Sequence, residues 1–285
     1  MSTLWEQITR DCKLISLPDA YLRLKATIDD PEYRLEDVAE AIRSDPALTT
    51  RVLKLINSPY FGLAAKIETV FRAVSLLGTQ QIHDLALATC VSDTLNRHAR
   101  TTLDMHQFWK RSVYCGLAAQ GLAQQLGLMD SERLFVCGLL FDLGHLILYQ
   151  NIPDQTEAAL RTSRQNCQPL VEVERTEIGL DYARVGATLM RQWSFPVCLI
   201  ETNEFHPEPM RAQQHPVETA MVHIAAMLAD EFMGYGVFGE GQLAPHPDSL
   251  EKTEMTLEDC RTISERVKPG LESILHTIHP LSKAS

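Results

Sequence analysis

The sequence predicts an all-α fold, a multi-helix bundle. Apolar residues recur at i, i+3 and i+4 in one segment after another. Helix start and stop residues stand at the ends of those segments. No segment alternates apolar and polar side chains as a half-buried strand would.

Each element follows from these signals in turn. "LEDVAEAIRSD" places Leu35, Val38, Ala39 and Ile42 on one stripe. In "SDPALTTRVLKLINS", Asp45 is a capping residue and Pro46 suits the first helical position, where no N–H is needed. Leu48, Val52, Leu55 and Ile56 continue the apolar face. "SPYFG" (58–62) is a turn whose aromatics Tyr60 and Phe61 read as plugs, and Asn57 before it reads as a helix end rather than a binding residue. "ETVFRAVSLLG" shows Val70, Val74 and Leu77 and stops at Gly78, with Thr79 placed to cap "QQIHDLALATCVSDTL".

These segments make a first helical unit over 1–95, and the polar stretch 95–107 is its boundary. A second unit over 105–233 opens with "FWKRSVYCGLAAQGLAQQLG", a long helix rich in small residues that Gly127 ends. Ser131 is placed to cap the helix carrying "GLLFDLGHLILY" (138–149). There Asp142 and His145 stand three residues apart, the spacing that puts two side chains on one helical face. The run is too short to span a membrane and reads as a core helix. Four further helical segments follow, up to "HPVETAMVHIAAMLADEF". The Gly/Pro-rich stretch 234–249 is a loop, and a capped helix with a break at Pro269 completes a C-terminal extension over 234–285.

Composition narrows the function. Apolar residues are 45% of 285, enough for a sizeable core. The formal net charge of −11 and a pI near 5.4 disfavour nucleic acid, since no Lys/Arg run supplies a basic face. The seven cysteines, Cys12 to Cys260, contain no C-x-x-C pair and read as small core residues of a reduced compartment. The opening "MSTLWEQITRDCK" lacks the apolar stretch of a secretory signal, so a cytoplasmic location without a membrane partner is expected. No G-x-S-x-G occurs, no cysteine has an evident His partner in sequence, and "GYGVFGEG" lacks the Lys-Ser/Thr ending of a phosphate loop. His83, His98, His106, His215 and His223 show no metal-ligand spacing; His276-x-x-His279 does, but at a C-terminal helix end expected to fray.

The order of motifs resembles the HDOD family, regulatory relatives of the HD-domain metal phosphohydrolases. The first half carries an acidic helix, D-P-A-L, a helix ending in N-S, a turn ending in Gly, and an A-V-x-L-L-G helix. The second half carries F-W, G-L-L-x-D-x-G and V-G-A-x-L-x-x-W-x-x-P. The resemblance spans about residues 15–230 and implies an HDOD-type helical bundle with an HD-like core in its second half.

HD phosphohydrolases hold a divalent metal with an early His, a His-Asp pair and a late Asp, ligands that fix the ion and leave a position for water. By the resemblance, the early His position is Arg111 and the pair is Phe141-Asp142. The late Asp aligns with Ala226, with Asp230 one turn on. The further His positions of the binuclear subgroup fall on Tyr182 and Phe205, leaving His206, and His145 takes the Lys position of H-D-x-G-K. An Arg in place of a ligand repels the ion and pairs with Asp142. The expectation is therefore a degenerate pocket of Arg111, Asp142, His145, Tyr182 and His206, with no catalytic residue, metal or cofactor.

That implies a non-catalytic signalling or regulatory protein, of a kind typical of bacteria, that binds a protein partner or a small ligand. A homodimer is expected if an apolar helix face is left exposed. Two alternatives stand beside it. One is a phosphohydrolase with an atypical site on Asp142, His145 and His206. The other is a nucleotide-binding sensor whose Arg111 and His145 contact a phosphate.

Overall fold

The computed structural model describes residues 6, 8, 16–61, 63, 65–98, 103–234 and 245–280. It divides into two compact units. A smaller unit comprises residues 16–98 and 269–285, and a larger one comprises 1–15 and 99–268. The segment 234–285, expected as a C-terminal extension, is thus shared between both. No strand occurs among the described residues.

The smaller unit begins with α1 (Asp19–Asp29), α2 (Leu35–Arg43), α3 (Pro46–Ile56), a 3-10 turn at Pro59–Phe61, α4 (Val70–Leu77) and α5 (Thr79–His98). The cap at Asp45 forms as expected, its carboxylate accepting the Leu48 N–H at 2.8 Å, with Pro46 at the first helical position. Val38, Ala39, Ile42, Leu48, Val52, Leu55 and Ile56 are buried, while Leu35 stays at the surface. Asn57 does more than end α3. Its amide donates to the Leu53 and Ile67 carbonyls and accepts the Ile67 N–H, all at 2.7–2.8 Å, so one side chain pins the turn to the start of the next segment. Thr79 does not act as the expected cap. It is the first residue of α5, and its hydroxyl pairs with the Tyr33 hydroxyl at 3.0 Å. The Tyr60 side chain, expected as a plug, lies outside the described residues, as do Cys12, residues 99–102 of the expected boundary and most of the 234–249 loop.

The larger unit continues with α6 (Met105–Gln125), α7 (Ser131–Leu140), α8 (Leu143–Asn151), α9 (Pro153–Asn166), α10 (Leu170–Glu177), α11 (Tyr182–Gln192), α12 (Val197–Phe205), α13 (Pro216–Phe232), α14 (Pro247–Lys252) and α15 (Leu257–Val267). Asp104 caps α6 by accepting the His106 and Gln107 N–H groups. Ser131 makes no cap; it is the first residue of α7, and its hydroxyl turns to Glu132. "GLLFDLGHLILY" is not one continuous helix either. The chain breaks at Phe141–Asp142, which leaves Asp142 at the N-cap position of α8 and His145 in its first turn. Together α7 and α8 form a 21-residue stretch long and apolar enough to cross a membrane, yet 89% of its most apolar 18-residue window is buried inside the protein. After a 3-10 turn at Lys268–Gly270, where Pro269 was expected to break the helix, α16 (Leu271–Ile278) rejoins the smaller unit and packs on α3 and α5. This end does not fray as expected, for His279 and the Ile278 carbonyl both bond to Asn96 of α5.

Two helix crossings fix the centre of the larger unit, and each needs glycine. At the α6–α7 crossing, a Cβ on Gly138 would stand 2.7 Å from the Cys115 carbonyl oxygen, and one on Gly116 would stand 2.7 Å from that of Phe135. At the α8–α11 crossing, a Cβ on Gly144 would lie 1.7 Å from the Tyr182 carbonyl oxygen, with Gly186 opposite. The glycines of the G-L-L-x-D-x-G and V-G-A motifs are therefore where two backbones meet without side chains between them.

Gly144→Ala must force α8 and α11 apart. It should lower the stability of the protein by about 3 kcal/mol or more, measured as a shift of the denaturant midpoint. A Gly127→Ala control meets no neighbouring atom and leaves only the backbone cost of a positive φ.

Candidate functional site

The close α6–α7 and α8–α11 crossings bring Arg111 of α6 against the α7–α8 joint. Arg111 is 2% exposed, and its guanidinium lies between two carboxylates. Its Nε donates to Asp230 of α13 at 2.6 Å, and its Nη1 donates to Asp142. The flat face of the cation rests over the Phe141 ring, 4.6 Å from the centroid. Asp142 is fully buried and Asp230 nearly so. The expected pairing of Arg111 with Asp142 is present, and Asp230 makes it a triad.

Three imidazoles surround the triad. His145 Nδ1 donates to the free oxygen of Asp142 at 2.6 Å, and its ring stacks on Tyr182 with centroids 3.9 Å apart. His145 Nε2 faces Glu174 Oε1 at 3.7 Å, while the other oxygen of Glu174 accepts the Tyr182 N–H. His206 Nδ1 lies 2.8 Å from the Asn203 carbonyl, which can only accept, so that nitrogen carries the proton. Nε2 is then the acceptor of the Tyr182 hydroxyl at 3.1 Å. The same logic makes His223 neutral: Nδ1 donates to the His206 carbonyl and Nε2 accepts the His246 N–H.

The charges follow the geometry. Burial alone would raise the Asp142 carboxyl, but Arg111 and His145 outweigh it and hold it at about 2. Burial alone would lower Arg111, but Asp142 and Asp230 push it well above its ordinary range. For the imidazoles burial dominates, and it takes His145 below its ordinary value, His206 to about 3 and His223 to about 4. The site is an ionised cation–carboxylate lock in a shell of neutral histidines.

A divalent metal does not fit this arrangement. The cation that a metal would supply is already present as Arg111, and the cleft left beside it measures about 20 Å³, room for a single water. His206 spends both ring nitrogens on protein partners, and His145 spends Nδ1 on Asp142 itself. Among the described residues, Asp142, His145 and His206 do not form a group whose ligand atoms all lie within 4.8 Å. All five expected pocket residues are brought together. The late carboxylate at the site is Asp230, one turn beyond Ala226, and Phe205 points away, under Arg211. Glu174 and Asn203 were not anticipated. Asn203 ties α12 to the α7–α8 joint by donating to the Leu140 and Phe141 carbonyls. A glutamate beside Leu170, Val171 and Val173 on the apolar stripe of α10 was the available signal for Glu174.

Removing the cation strands two buried carboxylates. Arg111→Ala should cost about 3–5 kcal/mol of stability by chemical denaturation. An exposed pair such as Arg43–Glu40 should cost under about 1 kcal/mol when broken.

Acid should unfold the protein through its buried histidines. In the unfolded chain His206 and His223 take up protons below pH 6.5, whereas in the folded protein they resist until about 3 and 4. The unfolded state therefore binds more protons in this window, and stability falls as pH falls, by roughly 2 kcal/mol per unit between pH 6 and 4. Denaturant midpoints at pH 7, 6 and 5 check this, and His223→Gln should flatten the slope.

The comparisons with known proteins agree with this geometry in fold. An uncharacterized protein of Treponema pallidum (strain Nichols) is 27% identical over 194 residues, 67% of this chain. The chain matches only 37% of that relative's length. A structure from Shewanella amazonensis SB2B, provisionally named a phosphohydrolase, superposes with a TM-score of 0.72 at 22% identity and covers 97% of both chains. An HDOD domain protein of unknown function from Geobacter sulfurreducens gives 0.68 at 22% identity, over 94% of this chain and 93% of its own. A protein from Marinobacter aquaeolei VT8, provisionally named for signal transduction, gives 0.71 at 20% identity over 92% of this chain and 58% of its own. The model of the HDOD domain itself matches residues 14–209, more than half of the sequence, and takes in the Asn57 turn, both glycine crossings and the Arg111–Asp142 pair: the chain belongs to the HDOD domain family.

Proposed function

We propose that this chain is a non-catalytic HDOD-type signal transduction protein of the cytoplasm, acting by binding a protein partner or a small ligand. The observation that carries this reading is the Arg111 lock. A hydrolase of this fold needs a metal and an open position for water where the guanidinium sits between Asp142 and Asp230. The sensor alternative has little support at the same place, because Arg111 and His145 are buried and give a phosphate no approach.

The accessible surface of the larger unit offers a place for binding. Two open cavities of about 460 and 450 Å³ share Glu204, Phe205 and Arg211 and run along α12. Three of their arginines are neutralised internally: Arg175 bonds to Asp181 and Glu208, Arg211 to Glu208, and Arg191 to Glu204. Val197, on this rim, and Met210, beside Arg211, are large apolar side chains about half exposed. A trough of paired charges edged by apolar groups suits a protein surface or a polar ligand of mixed charge better than a polyanion, in keeping with the net charge of −11.

The test is hydrolysis of bis(p-nitrophenyl) phosphate by untagged protein with added Mn²⁺, Fe²⁺ or Zn²⁺. The rate should stay at background, and metal content should be the same in wild type and Asp142→Ala. Turnover above background that vanishes together with bound metal in Asp142→Ala would overturn the reading and favour the atypical hydrolase.

A further inference from the structure

Away from the Arg111 lock, three side chains of different chemistry meet at the mouths of two helices. Cys198 lies in the first turn of α12, His215 is the residue preceding α13, and Glu218 lies in the first turn of α13. One ligand atom of each, thiol, imidazole and carboxylate, lies within 4.8 Å of the other two. The approach is built into the backbone. Glu201, one turn along α12 from Cys198, accepts the N–H groups of Gln213, Gln214 and His215 at 2.6–3.1 Å and so fastens this turn to α12. The turn cannot swing away without breaking those bonds, and His215 is held facing Cys198.

We infer that Cys198, His215 and Glu218 bind a zinc ion. Sulfur, nitrogen and oxygen donors from three side chains are the set a zinc site takes when it keeps its fourth position for water or an outside ligand. Charge balances: a thiolate and a carboxylate neutralise the dication, and the imidazole binds as the neutral base. Both anionic ligands stand in first helical turns, where the helix dipole favours negative charge. Cys198 is buried, whereas His215 and Glu218 are about a quarter exposed, so the ion has an entry path from solvent. Binding releases the Cys198 proton to solvent.

His215 and Glu218 already form an ion pair, 3.4 Å apart, and the thiol lies within 4.8 Å of both. Without a cation the thiol is held protonated. Its hydrogen bond with Cys137, its burial and the nearby Glu218 carboxylate all push it up, against a weaker opposing effect of Arg133. A bound zinc reverses that balance. The site would also stiffen the turn that carries Gln213 and Gln214, the rim of the trough along α12.

The test uses untagged full-length protein in a thiol-free reductant, titrated with zinc chloride and separately with cobalt chloride. One equivalent of zinc should bind and raise Tm, and cobalt should give a thiolate charge-transfer band in the near ultraviolet. Cys198→Ser should abolish the band and weaken zinc binding at least 100-fold. His215→Ala, at a partly exposed position whose loss disturbs no core packing, should weaken it at least tenfold. Cys167→Ser, at an exposed cysteine outside the cluster, should leave both readouts unchanged. Failure of the wild type to take up zinc at micromolar concentration would overturn the inference. So would zinc binding that survives both Cys198→Ser and His215→Ala, and if Cys198→Ser fails to fold, His215→Ala alone decides.

Discussion

The larger unit is organised around one constraint: a guanidinium buried among helices must find its countercharges within hydrogen-bond reach. An unpaired ion there is prohibitive, whereas a cation with two carboxylates is tolerated. Asp142 comes from the joint between α7 and α8, Asp230 from α13, and the cation from α6, so two ion pairs on one guanidinium join three parts of the chain that are far apart in sequence. The neighbouring groups then have their roles set. His145 takes the oxygen of Asp142 that Arg111 leaves, Tyr182 covers His145, and His206 closes the row on Tyr182. Each histidine is held neutral chiefly by its burial.

Such a lock is a poor source of net stability, since burying charge costs nearly what pairing returns. Its effect is on specificity of arrangement. The crossing at Gly144 and Gly186 admits only one register, because a slide would drive a side chain into the facing backbone. The directional bonds of Arg111 and Asn203 add the same definition to the contacts among α6, α12, α13 and the α7–α8 joint. The same residues that make the site unsuited to a metal make it suited to holding a helix bundle in one register.

Much of this was legible in the sequence, for reasons that differ from element to element. The α3 start was readable because Asp45 and Pro46 signal within three residues of each other and nothing competes for them. The caps expected at Thr79 and Ser131 failed because tertiary partners or neighbours took their hydroxyls. Arg111, Asp142, His145, Tyr182 and His206 could be grouped because the motifs of the resemblance supply spacings that local pattern does not. The late carboxylate slipped by one turn because Ala226 and Asp230 share a helical face, and a face is all that periodicity resolves. The break at Phe141–Asp142 was hidden, since an apolar run reads alike whether it is one helix or two. The meeting of Cys198 with His215 depends on how Glu201 folds a turn back on its own helix, and no spacing rule records that.

The order in which the chain visits its two units bears on how the protein is made. Residues 1–15 belong to the larger unit, 16–98 to the smaller, 99–268 to the larger again and 269–285 to the smaller. Ile8 sits in the core of the larger unit beside Ile147, Leu148 and Tyr182, although the whole smaller-unit segment 16–98 separates them in sequence. During synthesis the five N-terminal helices of the smaller unit emerge long before α16, which packs on α3 and α5. No single cut in the backbone yields two intact halves. Each core is assembled from two stretches of chain that lie far apart in sequence, so long loops must close before its contacts form.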